Sequence, residues 1–314
     1  MSRSGKFENG DSKFNTYHHF YMNSSTDSLL REPIIIIGAP RSGTSFLSRL
    51  LSKHSQLAML VEPRLTWKYG NDAKSDLLKS RDARPEVIEY IRGRFGDFVA
   101  KEGKSRLAEK TPSNALRLGF VDQIFPDAKY INIIRNGKDS ALSIRSFWEK
   151  SSTGFSGVNP GRLSQRLKEI RPKQIPYYAR EFGHRMIGGV FTKNGPAVWG
   201  PRLPGMAALA AELDPLEMAC LQWRTCVELS CDYGRRLPSQ RYLELRLEQL
   251  DSLAIERMLN FCGLGAEPAV EALYQDRFNQ EKASARQKKM SKDENRILER
   301  WLQPTLEWLD YSDQ

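Results

Sequence analysis

Gly38-Ala39-Pro40-Arg41-Ser42-Gly43-Thr44-Ser45 is the segment of this chain whose residue types and spacing best suit chemistry. It follows four consecutive isoleucines, Ile34 to Ile37, and precedes a run with Phe46, Leu47, Leu50 and Leu51 on one side. A buried strand, a glycine-rich turn and a helix in that order aim backbone N–H groups at one point. The helix dipole adds positive potential there, so the turn suits a phosphate or sulfate group. Gly38 and Gly43 keep the spacing of the GxxxxGK[ST] nucleotide loop, but Thr44 stands where its lysine belongs. Arg41, at the apex, brings a fork of donors instead. The pattern therefore favours an anion that needs a nearby cation over a β/γ-phosphate held with Mg²⁺.

Two further places face the same point. Arg135 ends the apolar run Lys129 to Ile134, and Ser143 lies eight residues later in the next helical stretch. Open α/β sheets bind ligands at the carboxyl ends of their strands, so Arg135 belongs in the crevice of the first turn. Glu62 directly follows the run Leu57 to Val61 and is placed at a strand's carboxyl end too. A carboxylate there can take a hydroxyl proton.

The elements that must carry these groups alternate. Strands are expected at 33–37, 57–61, 106–109, 129–134 and 241–245. Helices are expected at 44–54, 85–100 (with proline at its start), 113–125 (capped by Ser113), 137–150, 214–235, 254–262 and 293–309. That rhythm implies an α/β fold, a central parallel sheet with helices on both faces. Residues 151–212 break it with six prolines, and read as an insertion over the sheet edge. Residues 1–31, rich in Ser, Asn, Asp and Gly with an aromatic patch at Tyr17, Phe20 and Tyr21, read as an N-terminal arm, leaving 32–314 as one domain.

The 314 residues carry a formal net charge of +10, with no block of like charges. A small polyanion is favoured over nucleic acid as the partner. The longest apolar runs are a handful of residues, far short of the roughly 18 a membrane span needs. The first thirty residues contain no apolar core of a secretory signal, and the four cysteines fit neither a zinc site nor a disulfide framework. A soluble, cytoplasmic protein without a metal is the expectation. No HExxH or paired-histidine spacing opposes it. His54 reads as structural and His184 as an outside alternative base.

The segment Ile37 to Leu51 resembles the 5′-phosphosulfate loop of sulfotransferases that use 3′-phosphoadenosine 5′-phosphosulfate (PAPS). Its Pro-Arg-Ser-Gly-Thr form is typical of the bacterial and tyrosylprotein-type branches. The pair Arg135 and Ser143 resembles the family's grip on the 3′-phosphate. Glu62-Pro63-Arg64 is similar to the tyrosylprotein and carbohydrate branches, in which a glutamate at this place is the base. Phenol-type relatives use a histidine two residues after a lysine. Here that stretch reads Glu109-Lys110-Thr111-Pro112, and a proline cannot accept the proton.

The resemblance, clear over 33–143 and in outline over 214–314, implies a three-layer P-loop-like sandwich and a PAPS-dependent sulfotransferase. Arg41, Ser42, Gly43, Thr44 and Ser45 would hold the 5′-phosphosulfate, Arg135 and Ser143 the 3′-phosphate. Glu62 would be the base, with Lys110 and Arg41 at the sulfuryl group and bridging oxygen. Arg286, Lys288 and Lys289 stand where the family places a basic loop over the 3′-phosphate, and Tyr242 would lie near the adenine. Arg64, Glu109, Trp199 and Arg202 are assigned to the acceptor, a hydroxyl-bearing small molecule or saccharide. The product nucleotide would be 3′-phosphoadenosine 5′-phosphate (PAP). A homodimer is compatible with this reading. The alternatives are a P-loop kinase or triphosphatase, which would need a lysine before Thr44 or a Mg²⁺ carboxylate, and a non-catalytic PAPS- or polyanion-binding module.

Overall fold

The computed structural model describes residues 24–152, 175, 199–278 and 290–311. Its five strands are β1 (Ile34–Ile37), β2 (Leu57–Val61), β3 (Arg106–Lys110), β4 (Lys129–Ile134) and β5 (Tyr242–Arg246). They form one sheet in the order β2-β3-β1-β4-β5, with every neighbouring pair parallel. Parallel strands need crossover connections, and helices supply them. α1 (Ser24–Leu29) precedes β1, α2 (Thr44–Leu51) follows it, and α3 (Arg64–Lys68) and α4 (Pro85–Glu102) lie between β2 and β3. α5 (Leu118–Ile124), α6 (Gly137–Ser152), α7 (Met206–Glu212) and α8 (Pro215–Gly234) come before β5. α9 (Ser252–Cys262), α10 (Pro268–Arg277) and α11 (Lys292–Trp308) follow it.

The four isoleucines of β1 are fully buried, as a strand covered on both faces requires. Ile34 and Ile36 pack under α2, α9 and α10, with Leu47, Leu50, Ile255, Met258 and Val270. Ile35 and Ile37 pack on the other face with Val87, Ile91, Phe95, Phe120 and Val121 of α4 and α5. A third cluster, centred on Trp223 of α8, joins α6, α8 and α11 beside the carboxyl ends of β1 and β4. This is the expected α/β three-layer sandwich.

Three expectations shift. The single helix expected over 113–125 is two pieces, a 3-10 turn (Pro112–Leu116) and α5. Ser113 caps neither; its hydroxyl donates to Asp76 Oδ2 at 3.0 Å. The end of the expected arm is docked: Leu30 is buried, Arg92 pairs with Asp27, and the Glu32 N–H donates to Asp127 Oδ2 at 2.7 Å. The helix after the glycine-rich turn ends at Leu51, and His54 bonds the Gly265 carbonyl, a structural role. All four cysteines are buried free thiols. The insertion, apart from residues 151–152, Ile175 and residues 199–212, lies outside the described residues, as do residues 1–23. Among the described residues no helix is long and apolar enough to cross a membrane.

Candidate active site

The glycine-rich turn is built by contacts that leave no room for side chains. A Cβ on Gly38, at φ 151°, would stand 2.5 Å from the Ile133 carbonyl. One on Gly43, at φ 101°, would stand 2.8 Å from Leu247 Cδ1. Between them Arg41 takes φ 69°, a left-handed conformation uncommon for a residue with a side chain. Ser42 closes the turn: its hydroxyl donates to the Ala39 carbonyl at 2.6 Å, and its N–H points to the same oxygen. Ser42 therefore shapes the loop with both donors turned inward, which corrects its assignment to the anion. Gly43 caps α2, whose first N–H groups have no intrahelical acceptor. Thr44 is buried at that end and Ser45 is exposed beside it.

The second strand tip brings Arg135 and Ser143 to this loop. Arg41 Nε donates to Ser143 Oγ at 3.1 Å, although the two are 102 residues apart. Arg135, at the end of β4, is only 6% exposed and pairs with Asp139 at 3.4 Å. Trp223 fixes its backbone by donating from Nε1 to the Arg135 carbonyl at 3.2 Å. Both arginines thus stand at the carboxyl edge of adjacent strands, on one crevice.

The tips of β2 and β3 complete the edge. Glu62 leaves β2 at φ 54°, and its N–H donates to the Lys110 carbonyl at 2.8 Å. Its carboxylate lies between two cations: Lys110 Nζ at 2.7 Å and Arg64 at 2.8 Å. Lys110 also donates to Ser45 Oγ at 3.3 Å. One ammonium therefore joins the glycine-rich turn to Glu62. Lys110 is 2% exposed, so these contacts operate where water screens little.

Glu109 is corrected. Neighbours on a strand point to opposite faces, so Glu109 faces away from Lys110, into the core. It is wholly buried and accepts from Trp67 Nε1 at 3.1 Å, Thr111 Oγ1 at 2.5 Å and Asn114 Nδ2 at 2.9 Å. Burial pushes its pKa up to about 7, against the opposing pull of those hydrogen bonds. It pins the turn after β3 and does not meet an acceptor. Tyr242 is corrected as well. It opens β5 opposite Tyr130, at the amino end of the sheet, and its hydroxyl engages Asn132 and Glu244. The crevice lies at the other end.

Trp199 does reach the site. It stacks on Phe147 with centroids 4.9 Å apart, and the Arg41 guanidinium lies 4.8 Å from the centroid of the same Phe147 ring. Phe147 was missed in the sequence; it lies on α6 four residues after Ser143, one turn away, and that spacing was the available signal. Phe46 was also missed. It packs against Phe278 with the rings tilted by 39° (5.4 Å between centroids) and lines a groove with Arg49 and Lys53. Arg202 sits further out, its backbone paired with Asp76 through two 2.8 Å hydrogen bonds. Arg286, Lys288, Lys289 and His184 lie outside the described residues. Among the described residues no cluster of His, Cys, Asp and Glu is arranged to hold a metal.

Residues 33–187 match the family model described as "Sulfotransferase family". That segment carries the sequence pattern of the sulfotransferase family. The nodulation protein NoeE of Sinorhizobium fredii is 27% identical over 129 residues, 36% of this chain and 31% of that protein. A putative protein-tyrosine sulfotransferase of Caenorhabditis briggsae is 30% identical over 113 residues, 33% of this chain and 40% of the relative. The matched region thus spans well under half the length of these relatives. The sulfotransferase domain from the curacin biosynthetic pathway aligns with a TM-score of 0.49 at 14% identity, covering 87% of this chain and 98% of that one. The matched segment includes the glycine-rich turn, Glu62, Lys110, Arg135 and Ser143.

Proposed function

We propose that this chain transfers a sulfuryl group from PAPS to a hydroxyl of a carbohydrate, lipid-linked or natural-product acceptor. The observation that carries the reading is the contact of two anion-binding motifs distant in sequence, Arg41 and Ser143, at 3.1 Å. The donor set fits a nucleotide charged at both ends. Arg41, Ser45 and the N–H groups at the start of α2 would hold the phosphosulfate; Arg135 and Ser143 would hold the 3′-phosphate. When bound, PAPS supplies an activated sulfuryl group.

The protein's own groups divide the remaining work. Glu62 accepts the acceptor's hydroxyl proton at its carboxylate, held in place by Lys110 and Arg64. Lys110, between Ser45 and Glu62, places positive charge where the bridging oxygen gains negative charge. Arg64 orients the base and, being partly exposed, faces the acceptor side. Trp199 and Phe147 provide an aromatic wall beside Arg41.

Radiolabelled PAPS with a panel of saccharides, hydroxylated lipids and phenols tests the proposal. Transfer to at least one hydroxyl acceptor is expected, undiminished by EDTA. Activity restored by metal after chelation would remove the side-chain-only mechanism. Failure to bind PAP in calorimetry would remove the nucleotide assignment itself.

A further inference from the structure

A second feature adjoins the segment that follows Lys110. Asp76 accepts from Ser113, three residues past Lys110, and from the backbone N–H of Arg202. The segment that carries Arg202 also carries Trp199, which reaches back through Phe147 to Arg41. Past this junction opens a groove of about 880 Å³ between residues 73–82 and 202–208.

Its chemistry is two-sided. Leu77, Leu203, Pro204 and Met206 form an apolar wall. Lys74, Lys79, Arg81 and Arg202 line it as cations. Beneath them Lys68 and Arg117, both buried, converge on Asp76. Lys68 donates to the Ser75 carbonyl at 2.8 Å, and burial lowers its pKa to about 8. The carboxylates here are Asp72, Asp76 and Asp82, and Asp82 is engaged by Lys74 at 2.6 Å. Positive groups outnumber negative ones around the groove, and Lys79 and Arg81 are exposed on its rim. Excess cationic charge beside an apolar wall is complementary to an anionic group attached to an aliphatic chain.

We propose that this groove binds the acceptor's remote end, and that the acceptor is an alcohol carrying a phosphate or carboxylate next to an aliphatic segment. The inference rests on the sulfotransferase reading, whose acceptor class it specifies. The anionic end settles among Lys79, Arg81 and Arg202, the aliphatic part lies on Leu77, Leu203 and Met206, and the hydroxyl is directed toward Glu62.

Calorimetric titration with octyl phosphate, octanoate, octyl glucoside and inorganic phosphate tests this on the full chain. Octyl phosphate or octanoate should bind saturably, and which is tighter identifies the anion. Octyl glucoside and inorganic phosphate, each lacking one half of the feature, should bind at least about tenfold more weakly. Lys79→Glu combined with Arg81→Glu, both at exposed positions, should weaken the anionic amphiphile about tenfold or more while PAP affinity is unchanged. Equal binding of octyl glucoside and octyl phosphate, or an unaffected double variant, would overturn the groove assignment. Loss of PAP binding by the unmodified chain would instead overturn the enzyme reading, so the two failures are distinct.

Discussion

The two ends of the sheet handle charge differently. At the amino end, polar groups terminate on protein partners. Asp122 gathers Tyr233 at 2.9 Å, Tyr130 and Arg241, and Arg106 donates to the carbonyls of Glu32 and Cys262 at 2.7 and 2.6 Å. At the carboxyl end, Arg41, Arg64, Lys110 and Arg135 converge, with Glu62 paired to Arg64 and Lys110 and Asp139 paired to Arg135. The backbone differs as well. Arg41 and Glu62 both sit at positive φ, a conformation worth about 1–3 kcal/mol of strain that persists only where packing imposes it. The amino end closes on itself, and the carboxyl end is the one proposed to hold an anion. Breaking each should therefore produce a different kind of loss.

The largest effect is expected from Glu62→Gln. Removal of a general base lowers turnover by roughly 10²–10⁴-fold. PAP affinity should stay within about twofold, since Glu62 is not part of the proposed nucleotide grip. Near-normal turnover in a direct transfer assay would take the base assignment away from Glu62.

Glu109 tests the line between site and core. Its pKa is raised in the fold from about 4.5 to about 7, so the folded state binds the proton more tightly than the unfolded chain. Stability from this group is full below the unfolded pKa and is lost as pH rises through the folded value. The expected loss is about 3 kcal/mol between those limits. Urea denaturation from pH 4.5 to 7.5 measures it, and Glu109→Gln should flatten the slope. An unchanged slope in the variant would show that another group sets it.

Arg135→Ala should weaken PAP about 10–100-fold, the range for charge-assisted hydrogen bonds to a phosphate. Adenosine 5′-phosphosulfate, without a 3′-phosphate, should lose little. Equal losses for both ligands would separate Arg135 from the 3′-phosphate. The smallest effect is expected at the opposite end. Arg241→Ala removes the pair with Asp122 and should cost about 1–2 kcal/mol of stability with PAP affinity unchanged. A fall in PAP affinity there would erase the contrast between the two ends.

Much of this was legible in the residues. The buried isoleucine run, the turn at 38–45 and the strand-end positions of Glu62 and Arg135 followed from periodicity and from the rule that ligands lie at strand carboxyl ends. Ser42 and Glu109 were misread because a sequence does not say which way a hydroxyl or carboxylate turns. Tyr242 was misread because it opens its strand while the crevice lies at the strand's far end. Phe147 went unnoticed because an aromatic at helical spacing looks like core until its neighbours are known.

The order of residues by itself determined the strand-turn-helix and the parallel sheet, which depend on local conformational preference and hydrophobic period, and it carried the motifs of the family resemblance. The chain fold alone decided that Arg41 meets Ser143, and that Lys110 meets both Ser45 and Glu62. Those contacts arise from strand order, β2-β3-β1-β4, which sets distant tips side by side. Strand order is a product of packing whole layers together, and no local stretch of residues encodes it.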